Sequence, residues 1–236
     1  MAQHLDLEEQ EQLDQIKHFW NQYGNLITWA LIVVLGAFAA WNGYQYWERN
    51  QSAKSAALYD EVNRAAQATD LPKLERAFGD IKDKFGGTDY AQQAGLLAAK
   101  VLADHGKADA AKAALAWVAE KSVNLGYQTV AKLRLAALLA DAKSYDDALK
   151  QLSGTFPKQF EGLVADRKGD VLALQGKSAD AKAEYVKAYA ALPVGTDYRR
   201  LVEFKLNALG VDPNAGEKTV NLAAASQMDV TADSKK

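Results

Sequence analysis

The chain has 236 residues, which is enough for one ordinary domain with additional segments. It contains no cysteine, and this excludes structural disulfides, thiol nucleophiles, thiolate zinc sites and iron–sulfur ligation. Because the formal net charge is only −2, the composition gives no reason to expect a nucleic-acid partner.

Residues 1–24 form an acidic, amphipathic N-terminal segment. Its single basic residue is Lys17, against the five acidic residues Asp6, Glu8, Glu9, Glu11 and Asp14. Its apolar side chains recur at helical spacing on one face, at Leu13, Ile16, Trp20 and Tyr23. We interpret the segment as a helix lying at a membrane surface. A docking segment for a partner is the alternative, because an acidic helix gains little from anionic lipid.

Residues 25–47 are predicted to form a transmembrane helix in contact with lipid. The segment begins NLITWALIVVLGAFAAW, and no charged residue occurs between His18 and Glu48. A helix rises ~1.5 Å per residue, so about 20 residues cross the hydrocarbon layer. Aromatic side chains, which suit the membrane interface, cluster at both ends: Phe19, Trp20, Tyr23 and Trp29, then Trp41, Tyr44, Tyr46 and Trp47.

Two other interpretations of this segment are a buried core helix and a cleaved signal peptide. The tripeptide Ala37-Phe38-Ala39 resembles a cleavage site, but a signal peptide begins with a short basic region, and the preceding segment here is long and acidic. An uncleaved anchor is therefore favoured. Its orientation is open, because Lys17 precedes the span while Arg49, Lys54 and Arg64 follow it, and this count favours a cytoplasmic C-terminal domain.

Residues 48–209 are predicted to form an all-α domain of tetratricopeptide-like helical repeats. The segments GKADAA, KSYDDA and GKSADA end at Ala111, Ala148 and Ala181. These alanines are 37 and 33 residues apart, and both spacings are close to the 34-residue period of two-helix repeats. In the third copy Gly169 and Leu172 precede the turn at Gly176, then Ala181, Tyr185 and Ala188 follow, and Pro193 ends the second helix. Ala99 and Ala136 occupy the position of Gly169 in the other copies.

The flanking segments complete this prediction. Residues 52–68 are expected to continue the membrane helix, residues 71–85 to form its partner, and Thr88 or Asp89 to cap the next helix. Residues 196–209 are predicted to form a final capping helix. Residues 210–236 contain Gly, Pro, Asn and small polar residues without strong periodicity, which predicts a disordered tail.

The sequence offers no catalytic, cofactor-binding or metal-binding residue. His4, His18 and His105 lack partners at metal-ligand spacing, and QGKSAD (175–180) lacks the first glycine of a phosphate-binding loop. The acidic residues of the third copy are interpreted as lying on solvated faces: Asp166, Asp170, Asp180 and Glu184. No small-molecule substrate is expected, and one sequence does not identify the partner-binding residues.

The order of these segments resembles the bacterial YfgM family, the tetratricopeptide-like ancillary subunit of the SecYEG translocon. The resemblance covers residues 8–210. It is carried by EQLDQIKHFWNQYGN (11–25), the span, WNGYQYWERNQSAKSAALYDEV (41–62), YQTVAKLRLAALLAD (127–141), LVADRKGDVLALQGKSADAKAEYVKA (163–188) and EFKLNALG (203–210).

This resemblance implies a single-pass protein of the bacterial inner membrane, with a cytoplasmic N-terminus and a periplasmic helical domain. It also implies association with SecYEG and with the periplasmic chaperone PpiD, and a non-catalytic role in handing exported envelope proteins to chaperones. The implied topology disagrees with the local Lys/Arg count. A cytoplasm-facing scaffold of another membrane complex is therefore the alternative, and an enzyme is the third and least supported hypothesis.

Overall fold

The computed structural model describes the backbone of residues 7–214 and the side chains of residues 12–214. The chain divides between Lys54 and Ser55 into two compact units, which are described separately. All regular secondary structure of the described residues is helical, so the predicted all-α fold class is confirmed.

The first unit consists of the N-terminal part of helix α1, which runs from Leu7 to Gln67. Only 6% of its most apolar stretch is buried, so this helix is not the core of a soluble fold, and it is long and apolar enough to cross a membrane. Thr28 Oγ1 donates a hydrogen bond to the Gly24 carbonyl at 2.7 Å, and Asn42 Nδ2 donates to the Phe38 carbonyl at 2.9 Å. These two polar side chains therefore have hydrogen-bond partners within the helix itself.

The second unit contains residues 55–67 of α1 and the helices that follow. Their bounds are α2 (Leu71–Phe85), α3 (Asp89–Asp104), α4 (Ala108–Lys121), α5 (Leu125–Asp141), α6 (Tyr145–Gln151), α7 (Glu161–Leu174), α8 (Ser178–Ala191) and α9 (Asp197–Ala208), with a short 3-10 helix at Lys158–Phe160. Successive helices form pairs, each with a first and a second helix: α1–α2, α3–α4, α5–α6 and α7–α8. Helix α9 follows these four pairs and takes the position of the first helix of a fifth pair.

The same tight turn follows every first helix. At each turn one residue, here called the turn residue, has a positive φ angle: Thr69, Gly106, Lys143, Gly176 and Gly210, which are 37, 37, 33 and 34 residues apart. At Gly106 the turn residue's N–H donates to the Ala103 carbonyl at 3.1 Å, and the next N–H donates to the Leu102 carbonyl at 2.8 Å. These two bonds recur at all five turns and satisfy carbonyls that a helix end leaves unpaired.

Small residues allow the two helices of a pair to approach closely. In the second, third and fourth pairs the residue seven positions before the turn residue is Ala99, Ala136 or Gly169, and all three are buried. A Cβ atom built at Gly169 would lie 2.5 Å from the Tyr185 ring of α8, so any larger residue must displace that ring. The repeat alanines Ala111, Ala148 and Ala181 are fully buried, which confirms the predicted packing positions.

The few helix ends that the sequence predicts lie within two residues of the observed ones. Helix α2 spans the predicted residues, and its N-terminus is capped by Asp70, whose side chain accepts from the Lys73 N–H at 3.2 Å. Thr88 caps α3, as one of the two predicted candidates, and Thr196 caps α9. Helix α6 is shorter than a tetratricopeptide repeat leads one to expect, with 7 residues, because Gly154 takes a φ of +100° and Pro157 follows.

The predicted disordered tail, residues 210–236, lies outside the described residues from residue 215 onward. Its first five residues are described, and they contact α8 and α9. The Val211 N–H donates to the Leu206 carbonyl at 3.0 Å, and the Asn214 side chain accepts a hydrogen bond from Tyr189 Oη at 2.7 Å. Residues 210–214 therefore belong to the helical unit.

We predict that Gly169→Val lowers the free energy of unfolding by about 2 kcal/mol, because the added side chain forces the Tyr185 ring away from α7. Gly79→Ala is the matched control, since Gly79 is also helical but a Cβ there meets nothing within 4 Å. The control should be neutral or raise the stability by up to about 1 kcal/mol. Urea denaturation followed by far-UV circular dichroism measures both. Equal effects of the two substitutions would contradict the close-approach interpretation.

Candidate partner-binding face

The first helices contact one another along one side of the second unit. Ser55 on α1 and Thr88 at the start of α3 share a hydrogen bond of 2.6 Å between their hydroxyl groups. The rings of Tyr59 and Tyr90 lie beside them, with centroids 5.8 Å apart. These contacts join the first pair to the second, although the two helices are separated in sequence by all of α2.

The same side joins the second pair to the third. Gln93 Nε2 on α3 donates a hydrogen bond to Tyr127 Oη on α5 at 2.8 Å. Arg134 Nη1 on α5 donates to the Leu96 carbonyl on α3 at 3.2 Å. Polar side chains therefore set the spacing between the first helices, while apolar side chains fill the core behind them.

The first three pairs present mostly small and apolar side chains on this side. We define the first-helix face by the residues that lie 13, 10, 6 and 3 positions before the turn residue, because these positions share one face of a helix. It comprises Ala56, Tyr59, Asn63 and Ala66 on α1; Gln93, Leu96, Lys100 and Ala103 on α3; and Val130, Leu133, Ala137 and Ala140 on α5.

Most side chains of the first-helix face are half-buried, with Lys100 exposed and Ala140 buried. Small side chains leave room for a partner backbone to approach, and the larger apolar ones supply area that a partner can cover. Such a face suits the apolar side of an amphipathic segment from another protein. No acidic residue lies among its twelve members, and its one charged member is basic.

The last described interface between first helices is ionic. Lys205 Nζ on α9 lies 2.7 Å from Asp166 Oδ1 and 2.6 Å from Asp170 Oδ1, both on α7. Tyr198 Oη donates to Asp166 Oδ2 at 2.7 Å, and Tyr185 Oη donates to Asp170 Oδ1 at 2.8 Å. One ammonium group and two phenols thus hold two carboxylates, and the cluster connects α7, α8 and α9.

The two phenols of this cluster stay protonated far into the alkaline range. Burial raises the pKa of Tyr185 above its ordinary value of 10.0, and the hydrogen bond to the Asp170 carboxylate raises it further. Burial and the hydrogen bond to Asp166 raise the pKa of Tyr198 in the same way. Both phenols are therefore positioned as hydrogen-bond donors, and the cluster is a structural connection between helices.

This cluster corrects the interpretation of the acidic residues as solvated. Asp166 has only 1% of its side chain exposed and Asp170 has 26%, because both face α9. Asp180 is exposed, and Glu184 makes an ion pair with Lys187 on the surface of α8. The sequence carries one signal for this cluster that the interpretation missed, which is a break in the repeat pattern. Asp166 lies ten residues before its turn residue, whereas leucines, Leu96 and Leu133, occupy that position in the two preceding pairs.

The other residues considered for chemistry are dispersed. His18 is exposed on α1, His105 lies in the turn after α3, and His4 is outside the described residues. Gly176 of QGKSAD is the turn residue between α7 and α8, as the sequence interpretation had it. Among the described residues, no three His, Asp or Glu side chains lie close enough to bind a metal ion.

The shortening of α6 leaves an open cleft of about 720 Å³ between the 154–156 loop, α7 and α8. Val164 and Ala165 lie at its floor, and Lys168 and Lys187 lie at its rim with Glu161 and Glu184. The cleft holds no pairing of a nucleophile with a base, and its charges are balanced. It therefore offers no reaction that the described residues can support.

Comparison with known proteins gives one consistent result. Residues 17–211 match the family model described as a tetratricopeptide repeat-like domain. Proteins named ancillary SecYEG translocon subunit are similar along almost their whole length. The protein from Neisseria gonorrhoeae is 31% identical over 210 residues, covering 89% of this chain and 100% of the relative. Those from Haemophilus influenzae and Escherichia coli are 26% and 25% identical, covering 86% of this chain and 98% and 97% of the relatives.

We predict that Lys205→Met lowers the free energy of unfolding by about 3 kcal/mol, because Asp166 then stays buried without its cation. Lys187→Met is the control, since Lys187 pairs with Glu184 but is 66% exposed, and it should cost less than about 0.5 kcal/mol.

A double-mutant cycle identifies the source of this loss. In an Asp166→Asn background the cost of Lys205→Met should fall by at least about 1 kcal/mol, because the uncompensated charge has been removed. Chemical denaturation of the four variants supplies the data. Additive costs would refute the proposed coupling.

Proposed function

This chain belongs to the YfgM family of ancillary SecYEG translocon subunits, and we propose that it is a non-catalytic, membrane-anchored adaptor associated with the translocon and with periplasmic chaperones. The observation that carries the proposal is the extent of the family match, which includes both the apolar helix and the helical pairs, from residue 17 to residue 211. The relatives are named as translocon subunits, and the match covers 97–100% of their own length.

The apolar part of α1 gives this adaptor its place in the cell. We propose that residues 25–47 remain uncleaved, contact lipid and hold the protein in the bacterial inner membrane. The exposed apolar side chains of this stretch and its partnered Thr28 and Asn42 support that assignment. Residues 1–24 then lie on one side of the membrane as the acidic segment, and residues 48–209 lie on the other as the helical domain.

The helical domain supplies the binding surface of the adaptor. We propose that its first-helix face receives an apolar segment of a partner, either a translocon component or a periplasmic chaperone such as PpiD. By bringing the two together, the protein assists the handover and folding of exported envelope proteins. The mostly apolar composition of the face and its half-buried side chains support this role, which requires no catalytic group.

Crosslinking in native membranes tests the adaptor function. We expect a photo-crosslinking residue at Lys100, on the first-helix face, to capture SecYEG subunits or PpiD. The same residue at Ala113, which is exposed on the second helix α4, is the matched control. Mass spectrometry identifies the adducts. If position 100 captures no translocon component or periplasmic chaperone above the level at position 113, the proposed binding face is wrong.

A cytoplasm-facing scaffold is the second candidate function, because Arg49, Lys54 and Arg64 follow the span and only Lys17 precedes it. We propose the periplasmic orientation, since a difference of this size near a span is small and long domains can be translocated regardless of it. Alkaline phosphatase fused after Lys236 should be active, and a cytoplasmic reporter at the same place should be inactive. The reverse pattern would establish the scaffold orientation.

A further inference from the structure

The two most exposed large apolar side chains of the second unit, among its described residues, lie in loops that precede a first helix. Val123 in the α4–α5 loop is 84% exposed, and Val194 in the α8–α9 loop is 83% exposed. Leu125, which begins α5 two residues after Val123, is exposed as well. The α4–α5 loop therefore carries two apolar side chains that the rest of the unit leaves uncovered.

Hydrogen bonds on both sides of Val123 hold this loop in one conformation. The Asn124 N–H donates to Ser122 Oγ, and Ser122 Oγ donates to the Asn124 carbonyl, each at 3.2 Å. Gln128 Nε2 donates to the Ser122 carbonyl at 2.5 Å, and the Gly126 N–H donates to Asn124 Oδ1 at 2.9 Å. Ser122 itself is buried. The outward direction of Val123 is therefore fixed, because both of its neighbours are held in place.

The α4–α5 loop lies at the end of the second unit where the chain enters that unit. The second unit begins at Ser55, whose hydroxyl group shares a hydrogen bond with that of Thr88 at the start of α3. Gln93, near the start of α3, donates a hydrogen bond to Tyr127 Oη, near the start of α5. The starts of these three first helices therefore lie side by side. We call this end of the unit the entry end, and the 122–125 loop belongs to it.

The length of the connection to the span limits how far the entry end can lie from a membrane. Here the inference rests on the proposed anchor, residues 25–47. Residues 48–54 join that span to Ser55, and a chain of this length reaches at most about 30 Å even when it is fully extended. Ser55 therefore stays within that distance of the lipid for any arrangement of the two units. Neighbouring helices pack about 10 Å apart, so the 122–125 loop, two first helices away, lies roughly 20 Å from Ser55.

The charges beside the loop favour an apolar contact over an electrostatic one. Lys121, the last residue of α4, pairs with its neighbour Glu120, with 2.9 Å between Nζ and Oε1. Residues 122–131 carry no charge. The loop therefore offers no excess of positive charge to an anionic lipid headgroup, and it has no acidic group that such a headgroup would repel. Its exposed valine and leucine are what it can place in a lipid surface.

We propose that the 122–125 loop contacts the surface of the membrane and inserts the side chains of Val123 and Leu125 among the headgroups and upper acyl chains of the lipid. Because the unit is tethered, this contact is intramolecular, and a small apolar area suffices to maintain it. A protein partner is the weaker occupant, since two side chains on one short loop fall far short of the roughly 800 Å² that each partner of a stable complex buries.

This contact gives the helical domain a second point of attachment besides the span. Two attachment points restrict rotation of the domain about its tether, so the first-helix face keeps one direction relative to the membrane. The contact requires only that the domain lies beside a lipid surface. It is therefore the same for a periplasmic and for a cytoplasmic orientation of the domain.

Because the chain has no cysteine, a single introduced cysteine carries a fluorophore at one defined position of the full chain. The experiment compares Val123→Cys, Leu174→Cys and Val33→Cys in vesicles of phosphatidylethanolamine and phosphatidylglycerol that contain a nitroxide-labelled lipid. Leu174 is the matched control, because it is 57% exposed and ends α7 at the opposite end of the unit. The nitroxide should quench the label at position 123 about fivefold more than the label at position 174, since only the former enters the lipid.

A second substitution tests whether the apolar side chains of the loop make the contact. Leu125→Asp, combined with the label at position 123, should lower the quenching to about the level at position 174, because a carboxylate resists transfer into lipid. The fold should tolerate this change, since Leu125 is exposed and an acidic residue is favourable in the first turn of α5.

The label at position 33, within the span, separates this inference from the anchor on which it rests. Quenching at position 33 with equal quenching at positions 123 and 174 would overturn the loop contact and leave the anchor standing. No quenching at position 33 would overturn both. If Leu125→Asp left the quenching at position 123 unchanged, the fluorophore alone would be entering the lipid, and the proposed contact would be wrong.

Discussion

The close approach of the two helices in each pair is the constraint on which the rest of the helical unit depends. Ala99, Ala136 and Gly169 stand where the first and second helices meet, and at Gly169 there is no room even for a Cβ atom. Because neighbouring helices are held this close, the large apolar side chains of one pair reach the next and form shared cores. No single pair buries enough apolar area to be stable alone, so the array folds by stacking.

The turns keep the helix pairs regularly spaced along the chain. Each first helix ends at a residue with positive φ, and two of the five turn residues, Thr69 and Lys143, are not glycine. A side chain in this backbone conformation is strained, so the two hydrogen bonds that close the turn and the buried pair beyond it must offset the cost. The regular spacing of the turns therefore follows from packing within the pairs and does not require glycine at every turn.

The sequence predicts the features that depend on neighbouring residues. The spacing of apolar residues predicts the extent of α2 closely, and the repeat alanines stand at positions that are fully buried. The ionic cluster was missed because its members lie far apart: Lys205 is 39 residues from Asp166, and nothing local distinguishes a buried aspartate from a solvated one. The short α6 was also missed, since the repeat motif marks where a second helix begins and not where it ends.

The ionic cluster also determines how far the candidate partner-binding face extends. In the first three pairs the position ten residues before the turn residue carries Tyr59, Leu96 or Leu133, and the position six residues before it carries Asn63, Lys100 or Ala137. None of these side chains forms an ion pair with the next first helix among the described residues. In the fourth pair the same positions carry Asp166 and Asp170, which are already bound to Lys205 and to two tyrosines. A partner segment reaching α7 would have to displace a buried carboxylate from its cation, at a cost of several kcal/mol. The apolar face that we propose for a partner therefore ends at α5, where the ionic interface between α7 and α9 takes over.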